Sequence, residues 1–329
     1  MKESKNWLNK RIKLSEVVPL DLPINIKIEP TRACNFKCIY CYHANNRGGG
    51  ALTTKTFDKF IISYDFKEKL NSISFAGLGE PLLNKETPYM IKNARKIAKE
   101  TILVTNGSLL NKETIDKLIE SGIDTVRISL QGINSSDYRK NAGFNMNYDV
   151  FLDNLSYFYK NKQHTEIYVK IPDILLNTDK AFLFTSMFSD KCDELITMSI
   201  QPLYADSNVD YTRMQITAGK SVFETENKEK AIMCPQPFYT LYLLPNGDIY
   251  PCCAIEKKNI CIGNIISSNS LSDIWNGDTF NNFRLCHCTY TYKNIECCKG
   301  CQQPNCLNNP YDNIDSEKEF LMKFYSTRR

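Results

Sequence analysis

No run of apolar residues in this chain approaches the roughly 18 that a membrane span needs. The opening stretch, MKESKNWLNKRIKLSEVVPL, has no apolar core of the kind that starts a secretory signal. Net charge is scarce too. Forty-one basic residues face 37 acidic ones, a formal +4, which makes no case for nucleic acid or an anionic membrane as partner. Between Cys41 and Cys234 there is one cysteine, Cys192. These gaps describe a cytoplasmic protein whose metal chemistry, if it has any, is confined to two regions.

What is present begins with cysteine itself. The chain has 14, three of them at 34–41 and ten from Cys234 to Cys306. A reducing compartment disfavours disulfides, so clusters of this kind point to metal or redox chemistry. A length of 329 residues and 42% hydrophobic composition suffice for one large domain or a large and a small one.

The middle of the chain has a rhythm. Strand-like runs fall at 24–29, 71–77, 101–107, 124–132, 165–172 and 194–203. Helical spacing falls between them, at 53–70, 85–100, 111–122, 147–162 and 179–190. Thr53 or Thr54 caps the first helix, Pro88 sits in the first turns of the second, and Asn111 and Gly122 bound the third. Such alternation predicts an α/β fold, a parallel sheet with helices outside, curled toward a barrel. Six units are too few for a closed eight-stranded barrel, so it is read as open. In such folds chemistry sits on the loops at the carboxyl ends of the strands. The first of those loops, TRACNFKCIYCYH (31–43), carries Cys34, Cys38 and Cys41.

Three thiolates at that spacing can hold three irons of a [4Fe–4S] cluster and leave a fourth open to a ligand. A zinc site is the alternative, with His43 as a fourth donor, although structural zinc usually pairs two C-x2-C knuckles.

Strand, CNFKCIYC and helix together resemble the radical S-adenosylmethionine (SAM) enzymes, and further landmarks follow in order over residues 22–202. FAGLGEPLL is similar to the family's Gly-Gly-Glu-Pro motif, with Gly77 before it, Leu78 in place of the first glycine, and Gly79, Glu80 and Pro81. VTNG brings Asn106 to the end of the third strand. SLQG resembles Ser-Leu-Asp-Gly, with Ser129 kept and Gln131 for aspartate, and Arg139 follows. The resemblance implies a partial (β/α)6 barrel. It implies SAM chelating the open iron by its amine and carboxylate, with an external one-electron donor, flavodoxin- or ferredoxin-like. The resulting 5′-deoxyadenosyl radical takes a hydrogen atom from substrate. It also implies contacts to SAM from Gly77, Gly79, Glu80 and Asn106, from Ser129 to the ribose, from Arg139 to the carboxylate and from Tyr40 beside the adenine. Each has a plainer reading: Glu80 as a brace for its loop, Ser129 bonding backbone, Arg139 a solvated helix residue and Tyr40 packing.

The second cysteine region reads strand, PNGD turn, strand, a hairpin. A helix over SLSDIWNGDTFNNFR follows, with Ser272 as cap, and then CCKGCQQPNC. C-x12-G-x4-C followed by C-x2-C is similar to the family's auxiliary-cluster extension, known in a full form (SPASM) and a short one (twitch). Cys234, Cys252, Cys298 and Cys301 match the four ligands of the short form's [4Fe–4S] cluster. Cys253, Cys261, Cys286, Cys288, Cys297 and Cys306 are surplus, and a second auxiliary cluster would have to come from them. A zinc ribbon is the alternative for the whole region. Cys192 reads as packing, His164 as exposed and His287 as a weak ligand candidate.

The expected organisation is an extension at 1–21, the barrel at 22–205 and a small cysteine-rich α+β auxiliary domain at 206–329. The expected function is hydrogen abstraction from a small polar substrate, such as a sugar or aminocyclitol, for oxidation or epimerisation. An auxiliary cluster that takes the substrate's electron gives oxidation. A thiol that returns a hydrogen atom gives epimerisation, and Cys261 is a speculative donor. Two alternatives stay open: a maturase acting on a peptide or protein side chain, and a non-enzymatic zinc or iron–sulfur scaffold. Maturases often carry a leader-binding domain before the barrel, and about twenty residues precede the first strand here.

Overall fold

The computed structural model describes residues 11–41, 50–202, 209–212, 214, 231–253, 260–289, 294–306 and 310–328. Six strands, β1 (Asn25–Ile28), β2 (Leu70–Phe75), β3 (Ala98–Thr105), β4 (Thr125–Ser129), β5 (Glu166–Pro172) and β6 (Glu194–Met198), pair in parallel in chain order. On the other edge of β1 lies β7 (Thr240–Leu243), also parallel, followed by antiparallel β8 (Asp248–Tyr250) and β9 (Gly263–Asn264). One open sheet of nine strands results. The second cysteine region therefore extends the barrel's own sheet.

Side chains alternate across each strand. Ile26, Ile28, Ile73, Phe75, Val126, Ile128, Val169 and Ile171 face outward into one core. That core is shared with helices α1 (Thr54–Ile62), α2 (Thr87–Ala94), α3 (Lys112–Ser121), α4 (Ser135–Ala142), α5 (Tyr148–Asn161) and α6 (Thr178–Phe188). Inward face Asn25, Lys27, Ser72, Ser74, Glu100, Arg127 and Tyr168, around an open polar space of about 1140 Å3 that includes its mouth.

Local signals set most boundaries. The Thr56 amide donates to Thr53 Oγ1 at 3.1 Å, and the Thr114 amide to Asn111 Oδ1 at 2.8 Å. Gly122 closes α3 in the left-handed region at φ 72°. Four expectations need correction. The helical run at 85–100 divides, because α2 ends at Ala94 and β3 begins at Ala98. There Asp124 takes over the chain: its carboxylate accepts from Arg95 at 2.7 Å and from the Thr101 amide and hydroxyl at 2.8 Å each. The run at 53–70 likewise divides, into α1 and the start of β2. In the C-terminal region the helix splits at Gly277 into α8 (Leu271–Asn276) and α9 (Asp278–Cys288), which follow the short α7 (Gln236–Tyr239). The α8 cap is Ser270, not Ser272. Ser270 Oγ accepts from the Asp273 amide at 2.9 Å, and Ser272 Oγ instead donates to Asp65 at 2.7 Å.

A second core joins Met233, Phe238, Leu285, Cys288, Leu321 and Tyr325 with Leu14 and Val18. Leu14 and Val18 come from the start of the described chain. The Leu14 amide donates to Tyr311 O at 2.8 Å, and Arg11 pairs with Asp312. Helix α10 (Lys318–Ser326) seals this core. Within it Arg284 is buried, its guanidinium carbon 3.7 Å from the Phe280 ring centre and 4.0 Å from that of Trp275. It donates to Pro237 O at 2.9 Å and Trp275 O at 2.7 Å.

Candidate active site

The loop after β1 holds Cys34, Cys38 and Cys41, all partly accessible. The barrel fixes it from three sides. The Lys37 and Ile39 amides donate to Ala142 O and Asn141 O at the end of α4, at 2.7 and 2.9 Å. Asn106 Nδ2 donates to Asn35 Oδ1 at 2.8 Å, and Asn35 Nδ2 to Ser108 Oγ at 2.8 Å. The Glu80 amide donates to Ala33 O at 2.8 Å. Three thiols on one braced loop, at the carboxyl ends of parallel strands, are a donor set that suits iron. His43 lies outside the described residues.

Glu80 is 2% exposed. Its carboxylate accepts from Thr105 Oγ1 at 2.6 Å, the Asn106 amide at 2.7 Å and the Leu82 amide at 3.2 Å. Burial pushes the carboxyl up to about 7, against these bonds, which favour the charged form. This geometry is that of a brace. Gly79 is required by close approach: a Cβ there would stand 2.1 Å from Thr31 O. At Gly77 a Cβ would meet Glu29 Oε1 at 2.2 Å, and the same oxygen accepts from the Leu78 amide at 2.6 Å.

The remaining expected contacts divide. The Tyr40 hydroxyl donates to Gln131 Oε1, joining the cysteine loop to the SLQG turn. Ser129 ends β4 on the lumen side, opposite Lys170. Asn106 is buried, and its side chain is engaged with Asn35 and Ser108. Arg139 lies on the exposed face of α4, where its Nε donates to Asn145 Oδ1 at 3.0 Å.

In the C-terminal region Cys234, Cys252, Cys298 and Cys301 line one cavity with Pro237, Phe283 and His287. Burial raises the Cys234 thiol far above its usual range, with Cys301 adding to the effect. A thiolate here needs a cation beside it. Four thiols and no carboxylate are a donor set that suits an iron–sulfur cluster. Burial keeps the His287 imidazole neutral, lowered to about 3. Cys253 Sγ accepts from Gln303 Nε2 at 2.6 Å. Cys288 packs in the second core and is pushed up to about 12 by burial. Cys192 packs in the main core. Cys261 is exposed beside β9, and its thiol donates to Gly263 O at 3.2 Å. The side chains of Cys297 and Cys306 lie outside the described residues.

The family model for the radical SAM superfamily matches residues 28–181, and one for an iron–sulfur cluster-binding domain, SPASM, matches residues 234–302. The chain belongs to the radical SAM superfamily. A probable GTP 3′,8-cyclase from Methanococcus aeolicus is 34% identical over 127 residues, 37% of this chain and 42% of that protein. The chain thus spans about two fifths of the length of such curated relatives. A PqqA peptide cyclase from Bradyrhizobium diazoefficiens is 24% identical over 297 residues, 80% of this chain and 76% of that protein. The crystal structure of BtrN in complex with AdoMet and 2-DOIA superposes at a TM-score of 0.55 and 19% identity, covering 88% of this chain and 98% of that one. It shows a shared fold.

Sequence motifs missed part of this radical SAM site. Glu29, which holds the Leu78 loop, belongs to no motif read from the sequence, and Asn35 lies inside CNFKCIYC without being singled out there. Lys27 and Lys170 stand at alternate positions in apolar strands, a pattern visible in the sequence but silent about which face is the lumen. Among the described residues no helix is long and apolar enough to cross a membrane.

Proposed function

We propose that this chain is a radical SAM enzyme with its SAM-binding [4Fe–4S] cluster on Cys34, Cys38 and Cys41 and one auxiliary [4Fe–4S] cluster on Cys234, Cys252, Cys298 and Cys301. The observation that carries this is the thiol loop, locked by Glu80 and the Asn35–Asn106 pair at the carboxyl ends of the parallel strands. When bound, the cluster and SAM supply one-electron cleavage of the sulfonium and a hydrogen-abstracting carbon radical. The protein's part is positioning and shielding. Gly79 brings loop backbone close to the thiol loop, Tyr40 and Gln131 tie that loop to the SLQG turn, and the sheet encloses the substrate. The substrate is a small polar molecule that undergoes oxidation or epimerisation, and the fold shared with BtrN over nearly its whole length supports this. A second reading, a peptide-modifying enzyme, draws on the PqqA peptide cyclase match across most of both chains. The electron comes from a flavodoxin- or ferredoxin-like donor, and the reaction is cytoplasmic.

Anaerobic reconstitution tests the assignment. The wild type should bind about eight irons, four per cluster, and form 5′-deoxyadenosine from SAM and dithionite. Replacing Cys34, Cys38 and Cys41 by alanine should leave about four irons and no SAM cleavage. Replacing Cys298 and Cys301 should remove the auxiliary iron and lose product while keeping some SAM cleavage. Cleavage by the triple variant would refute the cluster assignment. Zinc in that variant would make the second site a ribbon. Product mass after incubation with candidate metabolites and peptides separates the two substrate readings.

A further inference from the structure

The barrel lumen holds two lysines that nothing above employs. Lys27 on β1 and Lys170 on β5 alternate with Ile26, Ile28, Val169 and Ile171, all turned outward into the core. Alternation turns both lysines inward. Lys27 lines the lumen cavity with Arg127, and register sets it beside Ser74 and Tyr242. Lys170 stands beside Ser129, at the end of the sheet where the cysteine loop sits.

Neither ammonium has an acidic partner among the described residues. Lys27 Nζ lies 5.1 Å from the centre of the Tyr242 ring. The charges that act on Lys170 are Arg127 and Lys27, both positive. Those that act on Lys27 are Arg127 and Arg11, opposed only by the thiol of Cys253. The nearby carboxylates serve other groups. Glu100 accepts from Thr125 at 2.8 Å, Glu166 accepts from Tyr168, Asp312 pairs with Arg11, and Glu29 accepts from the Leu78 amide. Burial lowers both lysines, Lys170 to about 8, so it still carries most of its charge at neutral pH. Both side chains are partly accessible from the lumen, and like charges crowded there without counter-ions repel one another. Replacing either lysine by an apolar residue would relieve that repulsion, and so would an anion bound between them.

We propose that the lumen binds an oxyanion of the substrate, a carboxylate or phosphoryl group, between Lys27 and Lys170, and that the substrate of this chain is therefore an anion. An oxyanion there neutralises both ammoniums through charge-assisted hydrogen bonds. Lys170 pairs in register with Ser129 at the carboxyl ends of the strands, where the cysteine loop follows β1, so an anion held by Lys170 lies toward that end of the barrel. That the anion is a substrate rests on the radical SAM reading; the anion site does not.

The test uses the reconstituted full chain, with inorganic phosphate and glutarate as probes and chloride of equal ionic strength as reference. Thermal unfolding and equilibrium dialysis read binding, and SAM affinity and SAM cleavage are scored separately. At least one probe should stabilise the wild type beyond chloride, and which one separates phosphoryl from carboxylate recognition. Lys27→Met with Lys170→Met should weaken that probe by about tenfold or more. The same pair changed to arginine should retain binding within a few-fold, which separates lost charge from lost packing. Lys55→Met, an exposed change on α1, should bind as wild type does. Probe-free, the methionine pair should melt no lower than wild type. The site is refuted if neither probe outperforms chloride or if the methionine pair binds as wild type does. Weaker SAM binding in Lys170→Met, with both probes still bound, would give Lys170 to the cofactor's carboxylate and also refute it. Probe binding without SAM cleavage would keep the site and refute the radical reading, and the reverse result would do the opposite.

Discussion

Glu80 and Lys170 are of opposite charge when ionised, and burial favours the neutral form of each. For Glu80 the folded carboxyl lies near 7 against an ordinary 4.5. Between those values the folded state holds its proton more tightly than the unfolded state does, so stability falls as pH rises from about 4.5 to 7. Glu80→Gln removes the titration but also puts an amide NH2 among donors from Thr105, Asn106 and Leu82. The variant should be less stable near pH 4.5, where Glu80 is largely protonated in the fold. Its penalty should shrink by on the order of 3 kcal/mol by pH 7.5. Urea unfolding of both proteins across that range measures the difference, and a penalty independent of pH would show that burial does not govern this carboxyl. Lys170 runs the other way. Its folded value near 8 lies below the usual 10.5, so its contribution improves as pH rises through that interval.

At the scale of elements, what the sequence shows well is what is decided nearby. Thr53, Asn111 and Gly122 set helix ends through bonds three or four residues long, and each lies where its residue type predicts. The cysteine loop is legible for the same reason, since its three thiols sit on one short segment. The division of the 85–100 run is not legible, because Asp124, from a different unit, takes up Arg95 and Thr101. The α8 cap fails to read for a similar reason. Both Ser270 and Ser272 are chemically suited, and Asp65, 207 residues from Ser272 in sequence, accepts from both the Ser272 amide and its hydroxyl. Ser270→Ala removes the bond to the Asp273 amide and the bond to Asp65 together. Loss of such a cap costs about 1 kcal/mol, and Ser272→Ala should cost less because it leaves the cap in place. Denaturant midpoints of the two variants check this order, and a reversed order would return the cap to Ser272.

For the whole molecule the decisive contact is between β1 and β7. Asn25–Ile28 pairs on one side with β2 and on the other with Thr240–Leu243. The strand before the cysteine loop is thus a central strand, and half of its backbone bonds come from the region that carries the second set of thiols. The N-terminal segment strengthens the dependence, since Leu14 and Val18 complete the C-terminal core and Arg11 pairs with Asp312. A fragment ending at residue 202 would expose the β1 edge, strip Leu14 and Val18 of their partners and open one side of the lumen. An unpaired, apolar edge strand invites pairing with other chains. We expect that fragment to aggregate or to lack a cooperative transition, whereas the full chain unfolds the barrel and the C-terminal region together. Size-exclusion chromatography and thermal unfolding of the two proteins decide it. A monomeric fragment that melts cooperatively would mean that β7 is an addition to a barrel already complete. It would also mean that the cysteine loop is held by β2, β3 and α4 without help from the second region.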